Sequence, residues 1–484
     1  MSELLNLEPK SLWKHFDKIC SIPHPSKHEE KIVAALVEFA KANNIEYKVD
    51  ETGNVIMRKP ASKGMENRKG VILQAHVDMV PQKNNDTKHD FINDPILPRI
   101  DGEWVRATGT TLGADNGIGA SAALAVLEDK ELVHGPIEAL FTIDEETGMT
   151  GAFGLKAGEL NGDILLNLDS ETEGELYVGC AGGIDATITF EFTKEAMPAG
   201  HKAYELCIKG MKGGHSGMDI ILGRGNANKT LFRVLKALEK VDYRLGEING
   251  GSLRNAIPRE AFCTVAIPSA KVSEAEAVVK EYESIVRNEL AAVEPDMEIS
   301  LKEASSCDFV IDQDTAKRIV RAVYACPNGI YRMSDSMENL VETSSNLAIV
   351  KTDGDKIVAC ALLRSSVDTA KEDFAQMMAS VIELAGGKIE FTGGYPGWKP
   401  NMHSPILETM TSTYKKLFGR TPKVMAIHAG LECGLLGGVY KNWDMISFGP
   451  TIKHPHSPDE KVNIESVKLF WEYLTETLKN VPTK

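Results

Sequence analysis

The sequence predicts an α/β fold: a domain on a mostly parallel sheet flanked by helices, built from both chain ends, with an α+β domain inserted between them. Three observations carry this. Strand and helix patterns alternate near both termini, as in parallel-sheet domains. From about residue 185 the strands turn to strict apolar–polar alternation, the mark of sheets with one solvated face. The 484 residues also exceed what one ordinary core holds. The expected division is 1–186 with 396–484 for the outer domain and 187–395 for the insertion.

Taken in order, Ser26-Lys-His-Glu29 has the pattern of a capping box, opening a helix whose apolar face holds Ile32, Val33, Leu36 and Ala40. Strands follow at 54–57 and in Gly70-Val-Ile-Leu-Gln74, then an Ala-rich helix at 116–127 and buried strands at 137–143 and 163–168. In the insertion, Asp185-Ala-Thr-Ile-Thr-Phe-Glu-Phe192 alternates strictly. Strand patterns at 204–208 and 262–267 and helices at 227–238 and 273–293 complete one set. A second set has a strand at 297–301, a helix at 314–324, a hairpin turning at Asp353-Gly354, a helix at 370–384 and a strand at 388–391. The two sets suggest similar halves, although no internal sequence repeat is visible. From Ser404 the first texture returns, with a helix to Leu417, strands at 424–427 and 445–448, and a helix at 464–478.

Composition narrows the class. A hydrophobic fraction of 43% and a charged fraction of 25% are those of a soluble globular protein. No run is long enough to span a bilayer, and Met1-Ser-Glu-Leu-Leu-Asn lacks the basic start and apolar stretch of a signal peptide. Eight cysteines without a Cys-x-x-Cys pair favour neither a disulfide framework nor a thiolate zinc site. The expectation is a cytoplasmic protein with no membrane partner. A net charge of −15 and the lack of a basic stretch argue against nucleic acid as a partner.

Five segments place His, Asp or Glu where a strand runs into a loop, the edge at which open α/β sheets bind ligands. They are His76-Val-Asp78, the segment Thr111-Leu-Gly-Ala-Asp115-Asn-Gly, Asp144-Glu145-Glu146, Asp169, and Lys453-His-Pro-His456-Ser-Pro-Asp-Glu460. Singly, each has an ordinary explanation. A lone His is usually satisfied elsewhere, Asp115 can be an N-cap, and Asp169 can open an acidic loop with Glu171, Glu173 and Glu175. Together they form an imidazole–carboxylate set without cysteine, suited to catalytic zinc, with manganese or cobalt as alternatives. Spacing alone leaves His454 and His456 equivalent.

The chain resembles the co-catalytic dimetal metallopeptidases that include carnosinases, tripeptidase T, aminoacylase and succinyl-diaminopimelate desuccinylase. The motifs are Gln74-Ala-His76-Val-Asp78-Met, Gly113-Ala-Asp115-Asn-Gly117, Asp144-Glu145-Glu146-Thr-Gly148, Asn167-Leu-Asp169-Ser, Gly213-Gly-His215-Ser-Gly217, Asn255-Ala-Ile-Pro258 and His428-Ala-Gly-Leu-Glu432. The resemblance implies two divalent ions, zinc by preference, held by His76, Asp115, Glu146, Asp169 and His456, with Asp115 bridging. It implies Glu145 as general base and Asp78 as the carboxylate that tunes the site through His76. His456 is preferred to His454 because the family's late ligand precedes a short Asn/Asp-Glu ending; Pro458 and Asp459 depart from the usual pattern there.

In the insertion, a lid by the same resemblance, His215 would stabilise the developing oxyanion and Asn255 would orient substrate. Arg364 is a candidate for the substrate carboxylate, which Arg recognises bidentately. His428 and Glu432 would line the pocket and read a substrate amine. Gly393-Gly-Tyr395-Pro-Gly-Trp398 reads as a hinge, a pocket wall or interdomain packing. Gly117-Ile-Gly119-Ala-Ser-Ala122 imitates a dinucleotide fingerprint without a strand running into it, and Cys180 imitates a nucleophile beside Ala-Gly-Gly. The implied activity is hydrolysis of unblocked dipeptides, favouring Xaa-His and including β-alanyl-histidine, so a small peptide is the expected partner. The rivals are an N-acyl amino acid amidohydrolase on the same machinery and an inactive metal-dependent binding protein. Relatives of this kind often pair through the lid, so a homodimer is compatible with the sequence.

Overall fold

The computed structural model describes residues 2–484 and divides into two compact units. The first runs to Gly179 and takes in Pro400–Ala426 and Leu431–Lys484; the second comprises Cys180–Lys399 with the short segment Ile427–Gly430.

The first unit carries an eight-stranded sheet in the order Glu46–Val49, Val55–Lys59, Ile137–Thr142, Val71–His76, Ile164–Asn167, Asp444–Ser447, Glu175–Cys180, Lys423–Ile427. Its centre is parallel: Val71–His76 pairs in parallel with Ile137–Thr142 and Ile164–Asn167, and the latter with Asp444–Ser447. Antiparallel pairs flank this core. Val71–His76, Ile137–Thr142 and Ile164–Asn167 are buried at every position, which explains their continuous apolar runs in the sequence. The register aligns His76 with Thr142 and Gln74 with Asn167, so the residues that follow leave the sheet at one edge.

Helix Ala114–Glu128 is buried nearly all round, as a helix without a polar face must be. The glycines of the imitation fingerprint are packing devices. A Cβ on Gly117 would stand 3.0 Å from the Phe16 ring, and one on Gly119 2.5 Å from the Leu168 carbonyl oxygen. The expected capping box is absent. Helix Glu30–Ala42 starts after Glu29 without a side-chain cap. Ser26 donates instead to Asp78 Oδ2 at 2.8 Å and to the Met79 carbonyl at 3.2 Å. Glu29 Oε1 accepts the amides of Lys27 and Asp144 at 2.8 and 3.1 Å. Apart from the Lys27 bond, the motif's polar side chains serve distant loops.

The second unit is built on one nine-stranded antiparallel sheet, ordered Glu298–Glu303, His201–Lys209, Ala261–Pro268, Arg244–Gly250, Val341–Asp353, Lys356–Ser365, Gly182–Glu191, Lys388–Tyr395, with Gly329–Met333 also on Val341–Asp353. Its waist is narrow: Arg244–Gly250 meets Val341–Asp353 only at Asn249↔Lys351 and Gly250↔Val350. Helices Ala227–Leu238, Val272–Glu289, Gln313–Ala325 and Asp368–Leu384 bury Leu231, Val278, Ile319 and Phe374 in one core with the sheet. Among the described residues, no helix is long and apolar enough to cross a membrane, and none of the eight cysteines is in a disulfide.

Candidate active site

The loops leaving the parallel edge bring His76, Asp78, Asp115, Glu145, Glu146 and Asp169 together, and His456 joins them from the far end of the chain. His76 Nε2 lies 3.1 Å from Asp115 Oδ1 and 3.3 Å from Asp169 Oδ1. His456 Nε2 lies 3.2 Å from Asp115 Oδ2 and 3.0 Å from Glu146 Oε2. The two oxygens of Asp115 therefore face two different imidazole–carboxylate groups. The ligand-type atoms of His76–Asp115–Asp169, of Asp115–Glu146–His456 and of His76–Glu145–Glu146 each fall within 4.8 Å of one another. His454 belongs to none of these groups.

Asp78 organises the cluster from behind. Its Oδ1 is 3.3 Å from His76 Nδ1, and its carboxylate accepts the amides of Glu145 and Glu146 at 3.0 and 3.2 Å. Burial opposes its ionisation, but the bonds from His76, Ser26 and the Glu145 amide hold its pKa down at about 2. Such a carboxylate fixes an imidazole's orientation and raises its basicity.

The cluster fits divalent cations. Glu146 Oε1 and Asp169 Oδ1 are buried without a hydrogen bond. Burial raises Glu145 well above its ordinary value and Asp169 to about 6, with neighbouring carboxylates adding to both. Glu171 is pushed up to about 8 by burial and by the charges of Asp115 and Asp169. It thus stands beside the cluster, where its sequence neighbours Glu173 and Glu175 suggest only an acidic loop. Crowded carboxylate oxygens converging with imidazole nitrogens gain most from a positive ion, and a donor set of imidazole and carboxylate suits zinc, cobalt or manganese.

Glu432, also in the first unit, is 1% exposed. Its Oε2 accepts Gln74 Nε2 at 2.6 Å and Thr142 Oγ1 at 2.9 Å, while Oε1 is buried without a partner. Burial lifts its pKa to about 8, with Asp169 adding to the shift. His428, named with it in one motif, belongs to the second unit.

In the second unit, the short strand Gly214–His215 pairs with Ala256–Ile257, and the Ser216 amide donates to the Asn255 carbonyl at 2.8 Å. The Asn255 residue is otherwise exposed. His215 Nδ1 accepts the amides of Gly217 and Met218 at 3.2 and 3.0 Å. That leaves the proton on Nε2, so His215 presents a neutral N–H donor. Burial and then the charge of Arg364 lower its pKa, in agreement.

Arg364 is 5% exposed, and among the described residues no carboxylate forms an ion pair with it. Its partners are neutral: Ser216 Oγ at 3.3 and 3.4 Å and the Tyr395 hydroxyl at 3.1 Å. Tyr395, expected as part of a hinge, a pocket wall or interdomain packing, is thus a direct neighbour of the cation. Three glycines make room for the pair. A Cβ on Gly183 would stand 2.8 Å from the Tyr395 hydroxyl, one on Gly430 3.3 Å from it, and one on Gly217 2.0 Å from the His428 carbonyl and 3.1 Å from Arg364 Nε. His428 Nε2 is 2.7 Å from Ser344 Oγ, and burial, then Arg364 and His215, press its pKa to about 3, so it is neutral. Cys180 is a buried packing residue, bonded backbone to backbone with Trp398 at 3.0 and 2.9 Å.

The chain has full-length relatives among known proteins. The chain is 51% identical to the cytosol non-specific dipeptidase of Escherichia coli (strain K12), with all of both chains covered. The crystal structure of aminoacylhistidine dipeptidase from Vibrio alginolyticus superposes with a TM-score of 0.96 at 54% identity, covering 100% of this chain and 99% of that one. The aminopeptidase PepT of Bacillus cereus ATCC 10987 shares the fold, with a TM-score of 0.62 at 18% identity over 98% of this chain and 99% of that one. Residues 72–480 match the family described as peptidase family M20/M25/M40, and the chain belongs to it.

Proposed function

We propose that this peptidase hydrolyses unblocked dipeptides, Xaa-His among the favoured ones, using two divalent ions, most readily zinc, and Glu145 as general base. The observation that carries the reading is the division of Asp115: Oδ1 toward His76 and Asp169, Oδ2 toward His456 and Glu146. One carboxylate can then serve two cations, with His76 and Asp169 completing one shell and Glu146 and His456 the other. Cations held there supply Lewis acidity toward the scissile carbonyl and an acidified water as nucleophile. Glu145, beside Glu146 and held near His76, would take the proton from the attacking water and return it to the leaving amine.

The second unit supplies the remaining roles. His215, with its proton on Nε2, is the oxyanion donor; Asn255 orients the substrate; Arg364 takes the C-terminal carboxylate, with His428 lining the same pocket. The unpaired, buried Glu432 Oε1 favours a free substrate ammonium over an acylated amine. The relatives' names, a non-specific dipeptidase and an aminoacylhistidine dipeptidase, support dipeptides as the class and Xaa-His as one member. The first name also supports a cytosolic location for this chain.

The test is metal analysis of the purified protein alongside a substrate panel of free, N-acetylated and C-amidated dipeptides. Two zinc ions per chain at saturation and activity confined to free dipeptides are expected. Preference for the acetylated set would assign the chain to N-acyl amino acid hydrolysis. Metal binding without hydrolysis of any member would make it a binding protein.

A further inference from the structure

Glu460 follows His456 by four residues and is 2% exposed. Its carboxylate accepts four consecutive backbone amides. Oε2 takes Leu112 at 2.7 Å and Gly113 at 2.9 Å; Oε1 takes Ala114 at 2.8 Å and Asp115 at 3.2 Å. An ordinary helix cap does not account for this. Asp115 and Asn116 have φ/ψ of −84/105 and −110/35, outside the helical region, so the regular helix begins only after them. Gly113 adopts a left-handed φ of 74, and this bend turns successive amides toward one point. Gly113 also backs onto Met79, where a Cβ would lie 3.1 Å from the sulfur.

The carboxylate is itself held from its own segment. The Glu460 amide donates to the Ser457 carbonyl at 3.0 Å, closing the turn that directly follows His456. The following strand Lys461–Asn463 pairs with Trp104–Arg106. One side chain therefore ties the segment of His456 to the backbone of Asp115, the two residues whose side chains meet at 3.2 Å.

We propose that Glu460 is a positioning residue: by gripping the amides of 112–115 it holds Asp115 where its two oxygens can serve both metal groups at once. The inference rests on the dimetal reading above. Glu460 touches neither the metal groups nor substrate, and acts through the Asp115 backbone. Glu460→Gln keeps the shape but not the chemistry. The amide oxygen can accept two of the four N–H groups, while its NH₂ confronts the other two, donor against donor. The misplaced Asp115 then weakens both metal groups together.

The experiment is calorimetric titration of the full-length, metal-stripped protein with zinc, for the unaltered chain, Glu460→Gln and the control Asp459→Ala. Among the described residues the exposed Asp459 has an ion pair only with Arg106, at 3.3 Å. Glu460→Gln should lose roughly 10- to 100-fold in affinity for both ions, the usual scale for a group that orients metal ligands. Its kcat should fall with little change in KM, and Asp459→Ala should match the unaltered chain. A Glu460→Gln protein with lowered Tm but zinc affinity and kcat within about twofold would overturn the proposal, leaving Glu460 a packing residue. Should that variant not fold, amide exchange in the unaltered protein decides. Protection of the 112–115 amides without zinc supports a preformed grip, and free exchange there refutes it. If the unaltered chain binds no pair of zinc ions, the dimetal reading itself fails, a result distinct from these.

Discussion

Replacing Arg364 by Met is expected to weaken catalysis and stabilise the substrate-free protein at the same time. Arg364 is 5% exposed, and among the described residues its guanidinium bonds only two neutral hydroxyls, one of them through long contacts of 3.3 and 3.4 Å. Burying an ion without a counter-ion costs several kcal/mol, of which charge-assisted hydrogen bonds to two hydroxyls, at about 1.5–3 kcal/mol each, return most. Met occupies the aliphatic volume without the charge and leaves the Ser216 and Tyr395 hydroxyls free to donate elsewhere. A net gain of about 1 kcal/mol follows, or roughly 2–4 °C in Tm for a domain of this size. With substrate the sign reverses. A charge-assisted bond to a carboxylate is worth about 1.5–3 kcal/mol, so kcat/KM should fall roughly 10- to 100-fold. The fall should sit in KM and be nearly absent for C-amidated dipeptides. Thermal unfolding without substrate and steady-state kinetics on both substrate sets measure the two effects. A variant that is less stable, and equally impaired on acid and amide substrates, would refute the reasoning and make Arg364 a structural cation.

The remaining expectations concern the metal groups and the oxyanion donor. Asp115→Ala removes one oxygen from each group and should lose both tight metals together in elemental analysis after dialysis; two retained ions would show that Asp115 does not bridge. Glu145→Gln should keep its metals and lose roughly 10²–10⁴-fold in turnover, whereas Glu146→Gln, whose Oε2 is 3.0 Å from His456 Nε2, should lose metal affinity. Exchanged phenotypes would mean exchanged roles. His215→Ala should lower kcat and kcat/KM alike by roughly 10²–10³-fold with metal content intact; a rise in KM alone would make it a ground-state binding group.

How much of this was legible in the sequence depends on how locally each feature is determined. The parallel core was legible because strands buried on both faces must be apolar throughout, and the 137–143 and 163–168 readings match Ile137–Thr142 and Ile164–Asn167 closely. Strand ends followed at once by His, Asp or Glu then marked the edge of the site. The antiparallel unit showed itself by alternation, and its hairpin does turn after Asp353, which pairs with Lys356. The return of Ile427–Gly430 to the second unit had no such mark. Four residues carry no periodicity, and their neighbours on both sides belong to the first unit.

Polar side chains were harder, because a strand end fixes where a side chain begins while its bonding partner fixes where it points. Ser26 and Glu29 satisfy the local capping rule, yet Asp78 and the Asp144 amide win them across the fold. The acidic loop after Asp169 shows the same competition at alternate positions. Glu171 is drawn beside Asp115 and Asp169, Glu173 bonds Tyr414 and Arg420, and Glu175 bonds Tyr177. Nothing in their spacing separates these fates. Tyr395 was hidden for a related reason. Its Gly-Gly-Tyr-Pro-Gly setting looks like a hinge, but the glycines that shape its surroundings include Gly183 and Gly430, remote in sequence and adjacent only in the fold. A Cβ at Gly183 would stand 2.7 Å from the tyrosine ring and one at Gly430 3.2 Å from it, so the position of its hydroxyl on Arg364 depends on three segments at once. Sequence reading finds such a residue only when one of those segments carries a recognisable motif, as the Gly213-Gly-His215-Ser-Gly217 run does for Arg364 through Ser216 and Gly217.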